Sequence, residues 1–236
     1  LGGFFKRRRG YPADFIAESV DQTRGWFYSL VVLGVGLFGR TPYRNVITNG
    51  LVLAEDGRKM SKKLKNYPDP TELINKYGAD AVRYYVMSAP IMRGEDLNFA
   101  ERAVDEVHKK VLMRLDNVLS FYRLYASTPL STSADATGRG KDSTHILDRW
   151  ILARLAELRD KVTAGFDAYE IDEAIKPIGD FIDDLSTWYL RRSRERFKGD
   201  ERGEALATLR YVLYTLSRLM APAMPFYAEY LFKEVR

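Results

Sequence analysis

The chain has 236 residues, 46% hydrophobic and 29% charged, which suits one large or two medium globular domains with a substantial core. It has no cysteine, so disulfides and cysteine-ligated zinc are excluded, and His108 and His145 lack a metal-spaced partner, so no metal ligand set is expected. A net charge of +5, from 37 Lys+Arg and 32 Asp+Glu, permits an anionic partner without demanding one.

The longest apolar run, Trp26 to Phe38, is too short to span a bilayer. No secretory pattern opens the chain, so a cytoplasmic location without a membrane partner is expected. The chain opens at Leu1 rather than Met, which suggests a fragment.

Residues 13–18 read as a short buried strand ending at an acid. A helix is expected from Asp21 or Gln22 to about Phe38, stopped by Arg40-Thr41-Pro42. Residues 45–49 and 50–54 are rich in Val, Ile and Leu and read as strands, with Asp56-Gly57 as the following turn. Thr71 is expected to cap a helix over 71–77, and a second helix covers 79–88. From Ala100 the helical period continues alone, through Val104, Val107, Val111, Leu115, Val118 and Tyr122. Residues 127–144 are small and polar and read as a linker. Helices are expected over about 146–168, 171–197 and 202–234, with Asp172 as a cap and Pro222 and Pro225 interrupting the last. The layout is α/β and then all-α, with a boundary near Asn98: residues 1–98, then a helical bundle over 99–236. The first part is too short for a complete doubly wound sheet and reads as the second half of one.

Four stretches could carry chemistry. Gly34-Val-Gly36-Leu-Phe-Gly39 matches a dinucleotide fingerprint, but it ends a helical run instead of opening one, so close packing is the better reading. Glu18, Asp21 and Gln22 cluster where a strand meets a helix, the end of an α/β sheet that binds ligands. Trp26 lies one turn beyond Gln22 and could wall a pocket there, or be a plain core residue behind a helix cap. Lys59-Met60-Ser61-Lys62 sets two ammonium groups and a hydroxyl on a short loop suited to polyphosphate; the plain alternative is a solvated basic loop. Trp188-Tyr-Leu-Arg191-Arg192-Ser-Arg194-Glu-Arg196 sets arginines beside aromatics, a pairing that suits single-stranded RNA as well as an amphipathic helix.

The order of these pieces closely resembles the isoleucyl-tRNA synthetases of class I. The resemblance runs through Asp21-Gln22-Thr23-Arg24-Gly25-Trp26-Phe27, Asn49-Gly50-Leu51-Val52, Lys59-Met60-Ser61-Lys62, Asn66-Tyr67-Pro68-Asp69-Pro70 and Tyr77-Gly78-Ala79-Asp80-Ala81-Val82-Arg83. It continues through Leu147-Asp148-Arg149-Trp150 and Trp188 to Arg192. Asn49 before Gly50 and the lysine-rich loop tail resemble the eukaryotic-type branch, which some bacteria also carry. Lys63 departs from the family's usual serine.

The resemblance implies the C-terminal half of a Rossmann-type catalytic domain followed by a helical anticodon-binding domain. It implies isoleucine, ATP with Mg2+, and tRNA(Ile) as partners. Lys59 and Lys62 would stabilise the phosphate transition state, with Ser61 on phosphate. Asn49, Gly50, Val52 and Met60 would line the nucleotide. Glu18 and Asp21 would hold the ribose or amino end of the adenylate, Gln22 its acyl region, and Trp26 the isoleucine side chain. Arg191, Arg192 and Arg194 would contact tRNA. The family's His-Ile-Gly-His motif and editing domain are absent from these residues, so an upstream half of the same protein is an expected partner and the piece alone is expected to be inactive. The alternatives are a valyl or leucyl enzyme, and a noncatalytic tRNA-binding module or synthetase-like paralogue.

Overall fold

The computed structural model describes residues 10–61, 63–64, 66–127 and 142–236. Lys62, Lys6 to Arg9 and most of the expected linker lie outside them. The chain divides into two compact units, at 66/67, 88/89 and 99/100. As packing units they are interleaved: residues 67–88 belong with the helices, and 89–99 return to the first unit.

In the first unit, β1 (Ala13–Ser19) and β2 (Tyr43–Asn49) pair in parallel, from Ala13 opposite Tyr43 to Ser19 opposite Asn49. Parallel neighbours need a crossover, supplied here by α1 (Trp26–Phe38). That helix starts later than the sequence suggests. Val20–Arg24 form a 3-10 turn, and Gly25, at φ −136° and ψ −111°, separates it from α1. The helix ends at Gly39, whose φ of +67° lets its N–H reach the Val35 carbonyl. The glycine triplet therefore closes a helix. A Cβ on Gly34 would sit 2.9 Å from both Pro42 Cδ and the Tyr11 hydroxyl, so this glycine serves close packing.

The strand expected over 50–54 shrinks to β3 (Val52–Leu53), which lies in a sheet separate from that of β1 and β2. It pairs in parallel with β4 (Leu97–Asn98). The chain turns away at Gly50, whose N–H goes to the Ile91 carbonyl, while Leu51 N–H goes to the Asp96 carboxylate. Ile16, Phe27, Ala54, Ile91 and Phe99 are buried in this unit. Much of α1 stays open: Tyr28, Leu33 and Leu37 are all exposed.

Among its described residues the second unit contains helices and no strand. It comprises α2 (Pro70–Tyr77), α3 (Ala79–Met87), α4 (Glu101–Val107) and α5 (Arg114–Ala126), with a π-helical stretch at His108–Met113 before α5. Then come α6 (Ile146–Asp167), α7 (Ile171–Asp183), a second π stretch at Asp184–Leu190 that leads into α8 (Arg191–Ser193), α9 (Arg202–Met220) and α10 (Pro225–Val235). Asp69, not Thr71, caps α2, accepting from Thr71 N–H at 2.7 Å with Pro70 in the first turn. Asp172 makes no cap either; it is fully buried and takes the Lys176 ammonium at 2.9 Å. Residues 221–224 break the last helix, and Pro225 opens α10. The buried positions of α6 recur at 148, 151, 155, 158, 162 and 165, a stripe of three-four spacing aimed at the core. At its end a Cβ on Gly165 would lie 2.8 Å from Ala174 Cβ, so α6 and α7 meet almost backbone to backbone.

Candidate functional site

The parallel register sets Glu18 opposite Thr48 and Ser19 opposite Asn49, at the carboxyl ends of both strands. Glu18 and Asp21 are exposed, and Gln22 is half-buried. Gln22 Oε1 accepts from Trp26 N–H at 2.9 Å, which caps α1 and leaves the amide NH2 as the donor end. Trp26 is no core residue: it is 47% exposed, whereas its neighbour Phe27 is 4% exposed. Its ring packs on Phe27 at 5.9 Å between centroids, so it can wall a pocket. Ser19 was not singled out in the sequence, yet its hydroxyl is buried at this mouth with no hydrogen-bond partner among the described residues. Such an oxygen is costly unless something meets it.

Beyond Asn49 the backbone is crowded. A Cβ on Gly50 would fall 1.9 Å from the Glu95 carbonyl oxygen, so only glycine fits. Val52 is exposed as the chain enters β3. The turn after Ala54 closes through Ala54 N–H to Arg58 O and Gly57 N–H to Ala54 O, both at 2.9 Å, with Gly57 at φ +78°. Asp56 takes the Arg58 side chain at 2.6 and 2.7 Å, and this bond holds its carboxyl below the ordinary range. Lys59 then returns antiparallel to Leu53 in a single bridge. Its side chain is exposed, while Met60 and Ser61 are half-buried. Asn66 holds this loop from behind: its Oδ1 accepts from Ser61 N–H at 2.9 Å, and its Nδ2 donates to the Lys59 carbonyl at 3.2 Å. Of the candidate loop residues, Lys62 alone lies outside the described residues.

Arg191, Arg192 and Arg194 are all exposed in the helical unit, but they diverge. Arg192 stacks its guanidinium 3.7 Å from the centroid of Trp188, which in turn lies 6.0 Å from Trp150. Arg191 and Arg194 instead line a cleft of about 370 Å³ with Asn117, Phe121, Ser186 and Thr187. Arg196 turns inward, and its two terminal nitrogens meet Asp148 at 2.7 and 3.0 Å. Burial pushes the Asp148 carboxyl up, but bonds from Arg196, Tyr189 and Ser143 outweigh it and hold the group below its ordinary value. Among the described residues no cluster of three or more His, Asp or Glu could hold a metal, and no helix is long and apolar enough to cross a membrane.

Residues 5–100 match the family model for tRNA synthetases class I (I, L, M and V), and residues 148–236 match the anticodon-binding domain of tRNA ligase. The chain belongs to the class I tRNA synthetases. It is 45% identical over 232 residues to an isoleucine–tRNA ligase of Bdellovibrio bacteriovorus, covering 97% of this chain and 22% of that protein. A Chlamydia caviae isoleucine–tRNA ligase is 44% identical over 231 residues, covering 96% of this chain and 22% of that protein. The synthetase segment thus spans about a fifth of those relatives' length. Its fold is similar to a Mycobacterium tuberculosis methionyl-tRNA synthetase bound by methionyl-adenylate, with a TM-score of 0.75 at 22% identity. That match covers 95% of this chain and 44% of the other. The architecture is a Rossmann-type α/β part followed by a helical domain.

Proposed function

We propose that this chain is the segment of an isoleucine–tRNA ligase that carries the phosphate-gripping loop, part of the adenylate pocket and the anticodon-arm surface. The observation that carries the reading is the anchored loop: Lys59 is tied to Leu53, on the strand that leaves the crowded Gly50 turn beside the β1 and β2 ends. The isoleucine assignment is supported by the 44–45% identity to curated isoleucine–tRNA ligases.

In this reading the isoleucine carboxylate attacks the α-phosphate of ATP, giving isoleucyl-adenylate and pyrophosphate, and a hydroxyl of tRNA(Ile) then takes the acyl group with release of AMP. Charge grows on phosphate oxygens in the first step, so positioning and electrostatics supply most of the catalysis. Lys59 and Lys62 meet that charge, with Ser61 donating to phosphate. Asn49, Gly50, Val52 and Met60 line the nucleotide, Glu18 and Asp21 take the ribose or amino end, and Gln22 and Trp26 face the acyl group. Mg2+ arrives on the ATP phosphates, an arrangement that needs no all-protein cage. The functional division falls near Asn98, and the remainder of the longer enzyme supplies the second phosphate motif and editing. The location is cytoplasmic.

The test is to graft residues 1–236 in place of the matching stretch of the Bdellovibrio relative and measure isoleucine-dependent ATP–pyrophosphate exchange. The graft should exchange, Lys59→Ala should lower the rate roughly a hundredfold, and the isolated chain should not exchange. An unaltered rate in Lys59→Ala would overturn the reading.

A further inference from the structure

We infer that Asn66 is a positioning residue for the loop: its one amide clamps the main chain on both sides of Met60 and fixes where Lys59 and Ser61 point. The inference rests on the ligase reading above.

Three contacts carry it. Ser61 N–H donates to Asn66 Oδ1 at 2.9 Å, and Asn66 Nδ2 donates to the Lys59 carbonyl at 3.2 Å. The partners settle the amide's orientation, because an N–H needs an acceptor and a carbonyl needs a donor. On its other side Lys59 is bridged to Leu53. The lysine backbone is thus held between a strand and a side chain that imitates the next strand. Just past the clamp, Leu64 N–H closes a turn onto the Ser61 carbonyl at 3.1 Å, and Lys63 and Leu64 are exposed.

Lysine reaches its target through a flexible four-carbon stem, so the region its ammonium can sample is set by its Cα. A displacement of about 1 Å in a positioning element can cost on the order of 100-fold in rate. Only an amide of this length offers both a donor and an acceptor here. Aspartate would keep the Ser61 bond, lose the bond to the Lys59 carbonyl, and add a negative charge beside the phosphates. Glutamine would keep both functions one methylene out of place.

The experiment uses the grafted full-length enzyme with Asn66→Ala, Asn66→Asp and Asn66→Gln, and Lys59→Ala as reference. ATP–pyrophosphate exchange should lose roughly 10–100-fold in kcat for Asn66→Ala and at least as much for Asn66→Asp, with Asn66→Gln partly restored. KM for isoleucine, transfer from preformed isoleucyl-adenylate to tRNA, and the melting midpoint should stay within error of the unmodified graft. A kcat within twofold in all three variants, beside a crippled Lys59→Ala, would overturn the inference and leave the ligase reading standing. Parallel losses in exchange, transfer and melting midpoint would also overturn it, because they would make Asn66 a general structural residue. Failure of Lys59→Ala itself to slow exchange would remove the ligase reading underneath.

Discussion

Asp148 and Arg196 meet through both carboxylate oxygens, at 2.7 and 3.0 Å, with Asp148 wholly buried in the helical unit. Tyr189 adds a bond at 2.7 Å and Ser143 one at 2.8 Å. Removing one member of a buried pair strands the other, which costs about 3–5 kcal/mol. Asp148→Ala should therefore lower the stability of this unit by roughly 3 kcal/mol, the low end, because Arg196 keeps Glu201 at 2.7 Å. The pH dependence follows from the lowered Asp148 pKa. The unfolded chain binds this proton near the ordinary 3.8 and the folded chain only at lower pH. The pair's stabilisation is thus complete above about pH 5 and is lost as pH falls through the folded value. Urea midpoints between pH 3 and 7 should converge for Asp148→Asn and the unaltered chain at the acid end.

Asp80 and Arg83, one turn apart on α3, bind the two sides of the break between α9 and α10. Asp80 accepts from Tyr227 N–H at 2.6 Å and Phe226 N–H at 3.4 Å, and Arg83 donates to the carbonyls of Pro222 and Ala223 at 2.8 and 3.1 Å. A proline-broken helix leaves free N–H groups on one side and free carbonyls on the other, and these residues answer both. Asp80→Ala should cost about 1–2 kcal/mol as a lost cap, and hydrogen exchange should quicken first in the opening turn of α10. Arg83→Ala should quicken it at 222–224 instead. Uniform quickening across all helices would contradict the local account.

The sequence foretold elements that are marked by period and punctuation. The Asp56-Gly57 turn, the helices from about Ala100 and the break before Pro225 fall where turn residues, helical spacing or proline placed them, whereas β1 forms where expected but buries only Ile16 instead of the whole strand. What stayed hidden depends on distant partners. β4 is two residues long and exists only because β3 lies beside it. The delayed start of α1 depends on Gly25 and the Gln22 side chain, and the same cap leaves Trp26 outside while Phe27 turns in. Arginine spacing alone could not reveal that Arg196 faces a buried Asp148 some fifty residues earlier in the chain. At the loop, Lys59 to Ser61 was legible as a motif and Asn66 as the start of the run that follows it, but the bonds Asn66 makes to the loop and the buried hydroxyl of Ser19 were not. Their contribution lies in the main-chain groups and buried space around them, for which a single sequence carries no pattern.

Gly50 gives a steric prediction. Its added Cβ would meet Glu95 O at 1.9 Å and Glu95 C at 2.4 Å, and both are backbone atoms that cannot swing aside. Gly50→Ala must therefore push the 94–96 strand entry away from β3, losing the bonds from Leu51 N–H to Asp96 and from Leu97 N–H to the Leu51 carbonyl. Overpacking of this kind costs about 1–3 kcal/mol. The grafted enzyme should show a raised KM for ATP together with faster proteolysis near 94–96. An alanine variant with unaltered KM and proteolysis would mean that the crowding relaxes freely.

The divergence of the three arginines makes the proposed tRNA surface separable. Arg191 and Arg194 share the cleft with Asn117 and Phe121, whereas Arg192 lies over Trp188. A phosphate contact adds to the salt dependence of binding, about 0.7–0.9 in the slope of log K against log salt, while a stacked base adds little to that slope. If the cleft arginines grip the backbone, Arg191→Ala and Arg194→Ala should each flatten the slope by nearly one for tRNA(Ile) binding to the grafted enzyme. Arg192→Ala and Trp188→Ala should instead weaken binding at every salt concentration, with the slope little altered, by about 1–3 kcal/mol if one base stacks there. Arg192→Lys keeps the charge and loses the planar stack, so it should resemble Arg192→Ala. A fall in slope for Arg192→Ala that Arg192→Lys repairs would instead assign Arg192 to phosphate and the Trp188 ring to packing against Trp150.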